Sequence, residues 1–197
     1  IVRAGPRSEV AIPAGTRLID TSGRTMMPGM IELHAHLVLI GHGDYGRWFP
    51  WMETQGRAHM LPQVMEIAAK QLLMAGVTSA VDLGAPLAES LAIRDRIAKG
   101  EAAGPRMWMS GPWLTRNVAI FPEDYQIKVT SPAQAAAETE RLAAAGVDAI
   151  KAHAGLTRDD QFVSAERMVF DVLEKRLPDK PGATSPRFGG RRDPTGM

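Results

Sequence analysis

The sequence predicts an α/β fold in which parallel strands are joined by helical crossovers. Two observations predict it. Apolar runs of strand length alternate with stretches of helical periodicity along most of the chain, and the phrase Ala-Gly-Val marks the same helix-to-strand joint at residues 75–77 and again at 145–147. Such a sheet is either doubly wound or a β/α barrel. No G-x-G-x-x-G follows any strand, so the dinucleotide-binding, doubly wound version loses its best support.

The elements follow in order. Residues 1–28 hold short apolar pieces broken by Gly5, Pro6, Pro13, Gly15 and Gly23, which read as short strands and turns. From Pro28 the texture changes. Residues 30–39 are a strand-like run, and Leu61, Val64, Met65, Ala68 and Leu72 then fit the i, i+3, i+4, i+7 helical template, with Gly76 ending the helix at C′. Residues 77–83 form a second strand. Leu87 with Leu91, and Ile93 with Ile97, recur one turn apart in a second helix, and residues 106–110 form a third strand.

Ser131-Pro132-Ala133-Gln134 supplies a capping Ser, a Pro at the first helical position and a Gln where a capping box needs it. A helix therefore starts there, runs to Ala145 and stops at Gly146. Residues 147–153 are a fourth strand. Phe162, Ala165, Val169, Leu173 and Leu177 trace one more amphipathic helix, ended by Pro178. Residues 178–197 contain four Pro and four Gly, with Arg187, Arg191 and Arg192, and read as a disordered tail.

At 197 residues and 45% hydrophobic content the chain is long enough to bury a core of about one domain. A formal net charge of +1, without runs of either sign, argues against nucleic-acid and membrane-surface partners and favours small or neutral substrates. The absence of cysteine removes disulfides, thiolate nucleophiles and Cys-zinc sites, leaving His, Asp, Glu and Lys as candidate ligands. No apolar stretch approaches the roughly 20 residues that span a bilayer. The chain opens at Ile1 rather than Met, so an upstream start is expected. The cytoplasm is favoured, with an upstream signal peptide left open.

The residues that point to chemistry begin with Pro28-Gly29-Met30-Ile31-Glu32-Leu33-His34-Ala35-His36, a strand whose last turn presents His-x-His. Period-two geometry puts His34 and His36 on one face. Two neutral imidazoles at the C-terminal end of a strand suit one divalent ion, and barrel enzymes keep their chemistry at that end. Spacing alone leaves open a pair of packed or exposed histidines. Lys151, in Ala149-Ile150-Lys151-Ala152-His153, shares a face with His153; a lysine there can equally snorkel to solvent. The loop after the first strand carries His42, Asp44, Tyr45, Arg47, Trp48, Phe49 and Trp51. Tyr45, Trp48 and His153 are candidate substrate contacts, whereas Phe49 and Trp51 read as loop packing and His59 as polar surface. The eleven methionines read as core filler.

The phrase Pro-Gly-Met-Ile-Glu-Leu-His-Ala-His-Leu resembles the first-strand signature of the amidohydrolase superfamily. Residues 19–24 are similar to the last strands of the small β-sandwich that precedes its barrel. Residues 75–84 and 93–106 resemble its second and third β/α units. The branch with imidazolonepropionase-like and Xaa-Pro dipeptidase-like enzymes is the most similar, and the resemblance covers roughly residues 10–177. It implies three units: 1–28 as a fragment of the N-terminal β-sandwich, 29–177 as the first half of a partial (β/α)8 TIM-type barrel of about four β/α units, and 178–197 as a disordered or non-native tail.

By the same resemblance, His34 and His36 hold one divalent ion, and Lys151, carboxylated, bridges two in the intact enzyme. Zinc is favoured, although imidazole and carboxylate-like oxygen also suit manganese, cobalt or iron. A metal-bound hydroxide then attacks the carbonyl of an amide, cyclic amide or dipeptide. The family also takes histidines from strands five and six and a catalytic aspartate from strand eight. No histidine follows His153, and Asp159, Asp160, Asp171, Asp179 and Asp193 do not fit that aspartate, so no catalytic residue is assigned. A full barrel needs about 250 residues. The expectation is a truncated or out-of-frame chain with little activity of its own. The competing readings are a non-catalytic β/α fragment that self-associates into a homo-oligomer through open sheet edges, and a doubly wound binding domain with an incidental His-x-His.

Overall fold

The computed structural model describes residues 3–39, 46, 48, 50, 58–117, 121–153 and 155–161. β1 (Met30–Ala35), α1 (Leu61–Met74), β2 (Val77–Asp82), α2 (Leu87–Ala98) and β3 (Arg106–Met109) come first in the chain. The short β4 (Trp113–Thr115) and β5 (Gln126–Lys128) follow, and then α3 (Pro132–Ala145). β1, β2 and β3 form one parallel sheet in sequence order, and β4 pairs with β5 in a second, also parallel. Neighbours in space are neighbours in sequence, so the described strands contain no switch point of the doubly wound kind.

The helices form where the periodicity placed them. Leu61, Val64, Met65, Ala68 and Ala69 are buried along one face of α1. That face packs with β1, β2 and β3 in a core that includes Leu37, Val38, Ala80, Met107 and Met109. α2 divides its apolar residues between two cores: Ile93 and Ile97 join the first, while Leu87 and Leu91 pack against a second built from Leu114, Val129, Ala135, Leu142 and Val147. Gly76 and Gly146 both adopt positive φ, 88° and 101°, at the two Ala-Gly-Val joints. A left-handed residue ends each helix and turns the chain into the next extended segment, a conformation that favours glycine.

At α3 the Ser131 side chain accepts the Gln134 N–H, as expected of an N-cap. Gln134, however, does not complete a reciprocal box. Its Oε1 accepts from the backbone N–H and the hydroxyl of Thr130, one residue further back, because Ser131 is followed by Pro132 and the chain enters from Thr130.

Three expectations need correction, and one pair of strands was not expected. The run 30–39 is a strand only over Met30–Ala35, so His36 lies just past its end. The expected fourth strand, 147–153, makes a single bridge, Ala152 with Leu114. Its partner is itself broken: β3 ends at Met109 and the chain turns at Gly111 (φ 63°) before β4. Hydrogen bonds therefore form only toward its two ends: Asp148 N–H to Met109 O at one, and Leu114 N–H to Lys151 O with His153 N–H to Leu114 O at the other. β4 and β5, three residues each, are shorter than any periodicity can signal. Finally, residues 3–28 form turns and no strand, with Leu18, Ile19, Met26 and Met27 exposed because no described element covers them. The helix expected over 162–177 and the tail 178–197 lie outside the described residues.

Candidate metal centre

The site is built where β1 and β2 end. β1 carries register irregularities against β2 on either side of Ile31–Glu32, the second lying between Glu32 and Ala35. There the His34 N–H turns to the Glu32 carboxylate (2.8 Å). An irregularity of this kind re-aims side chains at a sheet's rim. His34 and His36 converge as a result: their Nε2 atoms are 3.2 Å apart, with the rings edge-on at a centroid distance of 5.1 Å. Lys151, from the segment that bridges to β4, brings its Nζ to 3.5 Å from His34 Nε2. His153 lies against the ring of Trp113 at 5.4 Å.

These four residues share a cavity of about 170 Å³ with Val38, Leu39, Leu83, Gly84, Trp113, Phe121 and Tyr125. The lining therefore combines nitrogen donors with aromatic rings. Trp113 meets Phe121 edge-on at 4.9 Å. Burial holds the His36 imidazole below the usual histidine range, against a raising contribution from the Gly84 carbonyl, and the nearby His34, Lys151 and His153 act in the same direction as burial. Burial, then the Lys151 charge, lowers His153 as well. Two of the imidazoles are thus favoured in the neutral form that binds metals.

Two nitrogens on one tetrahedral zinc, each about 2.0–2.1 Å from it, lie about 3.3–3.4 Å apart. The His34–His36 separation fits that spacing. Among the described residues no third His, Asp or Glu joins the pair in a metal-ligating group. The donor set therefore fits part of a coordination shell, with Lys151 the nearest further nitrogen.

The sequence expectation for His34, His36, Lys151 and His153 was a set spread over two elements, and the fold brings all four into one cavity. Trp48 sits elsewhere. It packs against the core and donates its indole N–H to the Val38 carbonyl (3.1 Å). Tyr45 lies outside the described residues. Sequence reasoning missed Asp82, which is fully buried and accepts the backbone N–H groups of Leu37 (2.7 Å) and Gly84 (3.1 Å). An acidic residue closing an apolar strand was the available signal. It also missed Trp113, Phe121 and Tyr125, which lie in or between strands too short to be read.

Residues 25–173 match the model of the amidohydrolase family, and the chain belongs to that family. It is 33% identical over 123 residues to a 5-methylthioadenosine/S-adenosylhomocysteine deaminase from Symbiobacterium thermophilum, a match covering 57% of this chain and 28% of the relative. Among solved structures it resembles a candidate prolidase from Bifidobacterium longum, with 25% identity and a TM-score of 0.66, over 89% of this chain and 40% of that one. A prolidase solved with N-methylphosphonate-L-proline shares the fold at 18% identity and a TM-score of 0.64, over 80% of this chain and 44% of the other. The chain thus spans less than half the length of the relatives it matches.

Proposed function

We propose that the chain carries the first part of the metal site of a hydrolase acting on a C–N bond, of an amide, cyclic amide or dipeptide. The observation that carries this reading is the His34–His36 pair, 3.2 Å between Nε2 atoms, with Lys151 Nζ 3.5 Å from His34. Family membership supports it. His34 and His36 would hold one divalent ion, zinc being favoured, and Lys151 as a carbamate would be shared with a second. Carboxylation converts the neutral amine and carbon dioxide into a carbamate with release of a proton, replacing a cation beside two imidazoles with an anion. A bound divalent ion supplies Lewis acidity toward a carbonyl and lowers the pKa of water.

His153, with the aromatic wall of Trp113, Phe121 and Tyr125, would face the substrate, as would Tyr45 from the loop after β1. The family's later histidines and aspartate have no counterpart that we assign in this chain, so the chain alone is expected to turn over little substrate. The partial barrel belongs to this proposal too, and self-association is the alternative role.

The deciding experiment is elemental analysis of metal per chain for the purified protein beside a His34→Ala/His36→Ala variant. Metal that is present in the first and lost in the second supports the reading. Equal metal in both, or none in a folded chain offered zinc, rejects it.

A further inference from the structure

The geometry points to Asp82 as a positioning residue for His36: its carboxylate pins the two backbone segments between which the imidazole sits, holding Nδ1 toward the Gly84 carbonyl and Nε2 toward His34. The purpose of that arrangement rests on the metal reading above, but its geometry does not.

The β1–β2 ladder ends with the Leu83 N–H donating to the Ala35 carbonyl at 3.0 Å. Beyond it the two chains separate to open the cavity floor. The backbone donors at Leu37 on one side and Gly84 on the other are both taken by one side chain, Asp82 Oδ2 at 2.7 Å and Oδ1 at 3.1 Å. Asp82 has no exposed surface. Burying a carboxylate is costly, and an amide or hydroxyl in its place would be cheaper to desolvate. Only an ionised carboxylate, however, accepts at both oxygens without also presenting a donor. Its chemistry matches a place where two N–H groups diverge.

The consequence falls on His36. Leu37 is the next residue in the chain, so fixing its N–H fixes the peptide that leaves His36. Gly84, fixed from the other side, places its carbonyl 3.5 Å from His36 Nδ1. A Cβ on Gly84 would lie 3.3 Å from His36 Cε1 and would collide with the Trp113 ring, so the approach is already close. A carbonyl only accepts. It selects the tautomer with the proton on Nδ1, which leaves the Nε2 lone pair facing the His34 ring, as a metal-binding imidazole requires.

The test is long-range ¹H–¹⁵N NMR of the imidazoles in the metal-free chain at pH 8, wild type beside Asp82→Asn. Asn keeps the volume but offers an NH₂ where a second acceptor is needed. The expected result is Nδ1–H at His36 in the wild type and a shift toward an even mixture in the variant. Nε2–H in the wild type overturns the proposal, and so does an unchanged tautomer in a variant that keeps the backbone spectrum. A merely structural Asp82 would lower stability and leave the tautomer alone. Should the variant not fold, the wild-type spectrum still decides: Nδ1–H with slowly exchanging Leu37 and Gly84 amides supports the proposal, and Nε2–H overturns it. Cobalt(II) titration of both chains tests the linked metal reading separately, with affinity about 10–100-fold lower in the variant. A wild type that binds no cobalt would reject the metal reading and leave the tautomer result standing.

Discussion

Leu37 donates its backbone N–H to the buried Asp82 carboxylate at 2.7 Å, joining the end of β1 to the end of β2. Burial pushes the Asp82 carboxyl up to about 6 from an ordinary 3.8, and its two hydrogen bonds offset only part of that rise. Between those values the folded chain holds a proton that the unfolded chain has released. Stability from this group is therefore fully present below about pH 4 and is lost as pH rises through 6, a change of about 3 kcal/mol. Urea midpoints measured from pH 4 to 7 should show the decline in wild type, and a flatter profile in Asp82→Asn. Parallel profiles would contradict it.

Asp160 works in the opposite sense. Arg116 donates to both of its oxygens, at 2.7 and 3.0 Å, and holds the carboxyl well below the usual carboxylate range. That contribution is present above the ordinary carboxylate value and is lost as pH falls toward the folded one. Arg116→Ala should lower the urea midpoint at pH 7 and shrink its loss on going from pH 5 to pH 2.

If Lys151 becomes a carbamate, metal loading depends on carbon dioxide. Added bicarbonate should raise the zinc content of the wild-type chain and have no effect on Lys151→Ala, read by elemental analysis after gel filtration. A bicarbonate response that survives in the variant would assign it to another group.

Gly84→Ala places a methyl against the Trp113 ring and close to His36. Overpacking of this kind costs about 1–3 kcal/mol. The loss should appear both in the urea midpoint and in Trp fluorescence, since Trp113 lines the cavity.

Leu142 is fully buried on α3 and anchors the second core. Leu142→Ala should cost about 2–5 kcal/mol, and Ser131→Ala, which removes the N-cap of the same helix, about 1 kcal/mol. Equal effects in the two variants would mean that capping and packing have been ranked wrongly.

How much was legible in the sequence follows from the range of each signal. α1, α2 and α3 were readable because their buried residues repeat every turn and because Gly76, Ser131 and Gly146 mark their ends. β1 and β2 were readable as apolar runs, and the His34–His36 pair as a period-two spacing. The resemblance, not the spacing, singled out Lys151, since nothing local links it to a histidine 117 positions away. Asp82 showed only as an acidic residue closing an apolar strand, and its partners, being backbone N–H groups, could not be read from the sequence. The broken segment 147–153 was misread as a continuous strand because its apolar pattern cannot reveal the turn at Gly111 in its partner.

β1 carries His34 and leads directly into His36, on a strand whose Met30, Ile31 and Leu33 are 51%, 67% and 69% exposed. The segment that presents the imidazoles thus also exposes apolar side chains on an edge strand of the described sheet. Any engineering that exchanges Met30 or Leu33 for a charged residue to improve handling also changes the flanks of His34. Solubility and the proposed metal site thus meet in one short segment, and a change made for one is to be checked against the other.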